Sequence, residues 1–155
     1  MTTIAWDGKT LAADQCSWSG GVRRRVRKVF KIQSKERGPL LVAFTGHGSF
    51  CSQVLDWMRG ERDRPNPSDY YGREDITRQC AIVIDSERRV WSLGNDLHWE
   101  PTRESIYANG AGQEFAWGAL EAGATAVQAI EITAKRSDYA GFGVDSVTFE
   151  DTDKE

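Results

Sequence analysis

An α+β fold with mostly antiparallel sheets is predicted, on three observations. β-Prone runs come in pairs joined by turn residues, helical spacings come in blocks, and strand and helix do not alternate as a parallel sheet requires. The chain has 155 residues, 39% of them hydrophobic and 28% charged. That fits one globular domain over 1–155 and excludes disordered, collagen-like and disulfide-scaffold classes.

The first hairpin reads Ile4-Ala5-Trp6, then Asp7-Gly8, then Thr10-Leu11-Ala12-Ala13-Asp14. Asp-Gly between apolar runs predicts a two-residue turn with both positions at positive φ. A polar, glycine-bearing stretch at 17–21 follows, and 22–32 reads as one strand. At period two, Val26, Lys28, Phe30 and Ile32 share a face, which puts a lysine in register with apolar residues. After a turn at 35–39, residues 40–45 form an apolar run suited to a strand buried on both sides. Gly46-His47-Gly48 closes it. Phe50, Val54, Leu55 and Met58 then fall on one helical face within 49–59, and Gly60 ends the helix.

Residues 61–75 carry Pro65, Pro67 and Gly72 and read as a loop. A second hairpin pairs 78–84 with 89–93. A short strand at 105–109 leads to Gly110-Ala111-Gly112. Helices are expected at 113–121 and 125–136, the second N-capped near Thr125. A last strand at 144–149 precedes an acidic tail at 150–155, expected to fray.

Charge and composition narrow the function. With 20 Lys+Arg against 23 Asp+Glu, bulk charge does not attract nucleic acid. The Arg23-Arg24-Arg25 run reads as a solvated strand face or a subunit contact. No apolar run approaches the ~20 residues of a membrane helix, and no secretory leader is visible. Cys16, Cys51 and Cys80 form an odd set without CxxC spacing, which points to free thiols in a reducing, cytoplasmic compartment. Two histidines, His47 and His98, leave little material for zinc, and no cofactor is called for.

Several residues carry candidate chemistry. Loss of Met1 would expose Thr2 with a free α-amine, which titrates near 7.7–8 and can serve as the hydroxyl's own base. A threonine at position 2 is also a common start with no function. Lys28 is either a snorkelling edge lysine or a buried cation that stabilises an alkoxide. Asp14 ends an apolar strand and suits Lys28 as partner, or is a plain turn residue. Backbone N–H groups at Gly46-His47-Gly48 are placed as an oxyanion hole would be.

Taken in order, these pieces resemble the N-terminal-nucleophile (Ntn) hydrolases of the proteasome β-subunit and HslV type. The resemblance runs through Thr2-Thr3-Ile4, Asp14, Arg27-Lys28-Val29, Phe44-Thr45-Gly46-His47, Asn109-Gly110-Ala111-Gly112 and Asp138, and covers nearly the whole chain. It implies a four-layer α-β-β-α sandwich and a self-compartmentalising threonine peptidase acting on polypeptides. It implies Thr2 as nucleophile, Asp14 and Lys28 as the charged pair beside it, Gly46 as oxyanion donor and Asp138 as the acid that orients the N-terminus. Phe44 would line the pocket for the residue before the scissile bond, and Trp18 and Gly48 would pair with an extended substrate. A homo-oligomeric ring, stacked rings and an ATPase unfoldase are the implied partners. The chain departs from the family pattern at Ala111 and Ala140, where serines are usual, and in the short loop at 61–75. A catalytically silent subunit, a small-molecule amidase and a nucleic-acid-binding module built on the Arg23-Arg24-Arg25 run are the rival readings, the last opposed by the net acidic charge.

Overall fold

The computed structural model describes residues 2–76, 78–138 and 140–151. The removal expected of Met1, and most of the frayed tail, lie outside the described residues. Strands β1 (Thr3–Trp6) and β2 (Leu11–Asp14) form the first hairpin, with Trp6 opposite Leu11. The turn differs from the Asp-Gly expectation. Gly8 alone takes positive φ, and Asp7 uses its carboxylate instead: Oδ1 accepts from the N–H groups of Lys9 (2.9 Å) and Thr10 (2.7 Å). Its Oδ2 accepts from Ala126 N–H at 2.8 Å, tying the hairpin to a helix start.

The segment read as one strand at 22–32 is divided. β3 (Cys16–Ser19) and β4 (Val22–Arg25) form a separate two-stranded sheet, and β5 begins at Val29 (Val29–Ser34). The polar stretch at 17–21 therefore holds half of a hairpin turning at Gly20-Gly21. β6 (Gly38–Phe44), β7 (Gln79–Ile84), β8 (Val90–Gly94) and a short β9 (Trp99–Pro101) complete a five-stranded antiparallel meander with β5. β9 had no counterpart in the sequence reading. β10 (Tyr107–Gly110) and β11 (Val144–Val147) flank the first hairpin in the order β10-β1-β2-β11, all antiparallel.

Helix α1 (Gly48–Arg59) starts one residue early, with His47 as N-cap and Gly60 as left-handed C-cap. Helices α2 (Gln113–Glu121) and α3 (Ala126–Arg136) lie where the spacing put them, and Thr125 closes a full capping box with Gln128.

Three apolar clusters hold these elements. Ile4, Trp6, Leu11 and Ala13 of one sheet pack against Val29, Leu41, Ala43, Ile82 and Ile84 of the other. Leu40, Val42 and Phe44, on the opposite side of β6, pack with Phe50, Val54, Leu55 and Met58 of α1. This alternation explains the continuous apolar run at 40–45, since both faces of β6 are covered. Ala5, Ala12 and Ala108 meet Ala116, Leu120, Ala126, Ala129 and Ile130 of α2 and α3. The small side chains let both helices sit close to the strands.

Candidate active site

A cleft of about 1060 Å³ opens at one end of the sheets. Its lining includes Thr2, Lys28, Phe44, Gly46, Gly48 and Ala111. Thr2 is half-buried, just ahead of β1. Its carbonyl accepts the Ala111 N–H at 2.8 Å, and Thr3 pairs with Gly110 across β1 and β10. The Thr3 hydroxyl donates to the Ala111 carbonyl, so of the two threonines only Thr2 is among the cleft residues. Glycine is required at 110: a Cβ there would lie 1.8 Å from the Thr2 carbonyl oxygen.

Asp14 ends β2 with no exposure to solvent, and both carboxylate oxygens have polar partners. Lys28 Nζ lies 3.1 Å from each carboxylate oxygen. Thr3 N–H donates to Oδ1 at 2.9 Å and Cys16 N–H to Oδ2 at 3.1 Å. The carboxylate therefore fastens the start of β1 to the Lys28 ammonium. Lys28 is 7% exposed. It precedes β5 proper, but its carbonyl still accepts the Phe44 N–H at 2.9 Å, so the alternation read along 26–32 runs through the break. Burial pushes its pKa below the usual lysine value, and Asp14 pulls it partly back. The snorkelling alternative is excluded by this burial.

Gly46 leaves β6 at φ +94°, a conformation that disfavours any side chain. Its N–H has no protein acceptor among the described residues and borders the cleft, as an oxyanion donor must. His47 is exposed and caps α1, accepting from Phe50 N–H, so it has a structural role. Phe44 is buried and lines the cleft beside Phe30, Cys51 and Leu55, which gives an apolar recess.

Asp14, Trp18 and Asp138 are not among the cleft residues, and Asp14 reaches the cleft only through its ion pair with Lys28. Trp18 is 42% exposed, with the Arg23 guanidinium over its ring, although its neighbours Cys16 and Ser17 line the cleft. Among the described residues β3 pairs only with β4, so its other edge carries no ladder partner there. Asp138 is exposed after α3 and lies outside the cleft lining, while Ala140 is buried.

Tyr71 is a cleft residue that sequence reasoning missed. It belongs to the proline-bearing loop, where only a pair of adjacent tyrosines before Gly72 hinted at a packed role. Its hydroxyl accepts the His47 N–H at 3.2 Å. Among the described residues, no group of acidic, histidine or cysteine side chains could hold a metal. No helix among them is long and apolar enough to cross a membrane.

No family model and no curated protein matches this sequence. Solved structures do match its fold. Thiobacillus denitrificans BPH is similar over 96% of this chain and 97% of its own, with a TM-score of 0.68 at 22% identity. A complex of that protein with epoxomicin gives 0.67 at 19% identity, over 96% and 97% of the two chains. HslV from Trypanosoma brucei gives 0.62 at 14% identity, covering 95% of this chain and 98% of the other. The Anbu complex from Pseudomonas aeruginosa, a helical assembly, gives 0.66 at 13% identity over 96% and 81%. The fold is of the Ntn, proteasome type.

Proposed function

We propose that the protein is a threonine peptidase whose nucleophile is Thr2, exposed by loss of Met1, and that the three core clusters are the interfaces of a four-layer α-β-β-α sandwich. The observation that carries this reading is the buried Asp14–Lys28 pair, joined through Thr3 N–H to the residue after Thr2, with Lys28 lining the same cleft as Thr2 and Gly46. Thr2 hydroxyl attacks the substrate carbonyl carbon, and its proton passes to the α-amine. The carbonyl oxygen becomes an oxyanion and takes the Gly46 N–H. Collapse breaks the C–N bond, the leaving amine receives that proton, and water hydrolyses the resulting ester. The Lys28 ammonium favours the alkoxide electrostatically, while Asp14 holds that charge in place.

The apolar recess at Phe44 receives the side chain before the scissile bond, and the substrate lies extended between the free edge of β3 and Gly48. Trp18 and Asp138 stand outside the cleft lining, so the reading rests on Thr2, Lys28 and Gly46 in the lining and on Asp14 behind Lys28. Homo-oligomeric assembly into rings, with access for unfolded polypeptides supplied by an ATPase, completes the proposal. It is supported by the exposed Phe115 on α2, Ile132 on α3 and Trp18 and Val22 on the protruding hairpin. Ala111 in the cleft favours a second reading, a slow or silent subunit, because its side chain offers no hydrogen-bonding group where the family resemblance implies serine.

Intact-mass measurement with and without epoxomicin tests the proposal. Loss of Met1 and one covalent adduct, absent in Thr2→Ala, are expected. A Thr2→Ala variant that hydrolyses peptides as fast as wild type would refute it. A processed wild type with neither adduct nor turnover would establish the silent-subunit reading.

A further inference from the structure

We propose that Tyr71 is a positioning residue of the oxyanion corner, holding the Gly46–His47 peptide so that the Gly46 N–H stays open to the cleft. This rests on the peptidase reading above. The corner has little intrinsic rigidity. Glycines flank His47 on both sides, residues 46–49 are exposed, and a Cβ at Gly48 would meet nothing within 4 Å. Glycine resists displacement less than any other residue. Besides the α1 cap, in which His47 accepts the Phe50 and Cys51 N–H groups, what steadies the corner comes from the loop between α1 and β7.

That loop is itself ordered by its sequence. Asn66 caps a 3-10 turn (Pro67–Asp69) by accepting the Ser68 N–H at 3.1 Å, and the N–H groups of Tyr70 and Tyr71 both donate to Pro67 carbonyl. The two rings then bracket Phe50 in the first turn of α1, with centroids 5.2 and 5.1 Å away, the Tyr71 ring perpendicular. The Tyr70 ring also meets the His47 imidazole at 5.7 Å. With its ring anchored on Phe50, Tyr71 presents its hydroxyl to the His47 N–H, and that oxygen would lie 3.4 Å from a Cβ on Gly46. A single hydroxyl thus bonds the His47 N–H and stands where a side chain on Gly46 would meet it. Burial raises the Tyr71 pKa, so the phenol stays neutral and its bond to the amide does not change over the ordinary pH range.

Tyr71→Phe keeps the ring and its packing and removes only the hydroxyl. Measured on the processed full chain with a fluorogenic peptide, it should lower kcat roughly 2–10-fold, the scale of one hydrogen bond, with KM unchanged. Amide exchange at His47 should quicken while the thermal midpoint holds. Tyr70→Phe is the control: its hydroxyl bonds Gln53, away from the corner, so kcat should stay at the wild-type value. Unchanged kcat and unchanged His47 exchange in Tyr71→Phe would overturn the inference with the peptidase reading intact. A rise in KM alone would make Tyr71 a peptide-binding group and overturn it equally. A wild type that neither labels nor turns over would overturn the peptidase reading and any catalytic purpose for Tyr71, although His47 exchange would still show whether the hydroxyl holds the corner.

Discussion

Asp14 and Lys28 should behave as one unit, and a double-mutant cycle measures how strongly. Lys28→Met leaves a fully buried carboxylate with only the Thr3 and Cys16 N–H groups. Asp14→Asn leaves a buried ammonium, and turns one acceptor oxygen into an amide that must face a donor. Removing one partner of a buried pair costs about 3–5 kcal/mol. That is a large share of the ~5–15 kcal/mol that holds a domain folded. In the double variant neither charge remains, so its cost should not exceed that of either single change. The coupling energy should then be at least about 3 kcal/mol. Urea unfolding at neutral pH, followed by tryptophan fluorescence, gives all four stabilities. Costs that simply add would refute the claim that the pair is a unit. A pH series gives a second check. Lys28 sits below its unfolded value of 10.5, so between the two values the unfolded chain binds more protons and stability rises with pH. Lys28→Met should flatten that rise.

Gly46→Ala should lower turnover at least about 10²-fold with the circular dichroism spectrum kept, because a side chain disfavours φ +94° and moves the oxyanion donor. Ala111→Ser should accelerate peptide turnover at equal active-site titre, by roughly 5–150-fold if a missing hydrogen-bonding partner costs about 1–3 kcal/mol; equal rates would show that water already fills the place. Burial raises the Asp85 pKa, but hydrogen bonds from Trp91 and Arg89 outweigh this and hold it below the ordinary carboxylate value. Its contribution should be present above about pH 3.8 and fade as pH falls through the lower folded value, so Asp85→Asn should shrink the acid-induced loss of stability seen in urea titrations.

The sequence by itself determined those elements whose signals are local. Helix periodicity and caps placed α2 at 113–121 and the Thr125 cap of α3, because caps and amphipathic faces depend on residues within a turn or two. The unbroken apolar run at 40–45 marked a strand covered on both sides, and β6 is one. The in-register lysine at 28 left a snorkelling edge residue and a buried cation both open, and the structure decides for burial. Where pairing partners decide, the reading failed: 22–32 looked like one strand because its alternation continues across the break at 26–28, kept in register by the Lys28–Phe44 bond. Only the tertiary structure decided which distant groups share the cleft. Asp14 and Lys28 lie 14 positions apart and meet through side chains, while Ala111 bonds Thr2 from 109 positions away, next to the β1–β10 pairing. Asp138 was read beside the nucleophile and stands exposed elsewhere; Tyr71 was read as loop and borders Gly46. Local propensity says nothing about where a loop side chain lands, since that depends on which surface, here Phe50 of α1, the folded chain offers it.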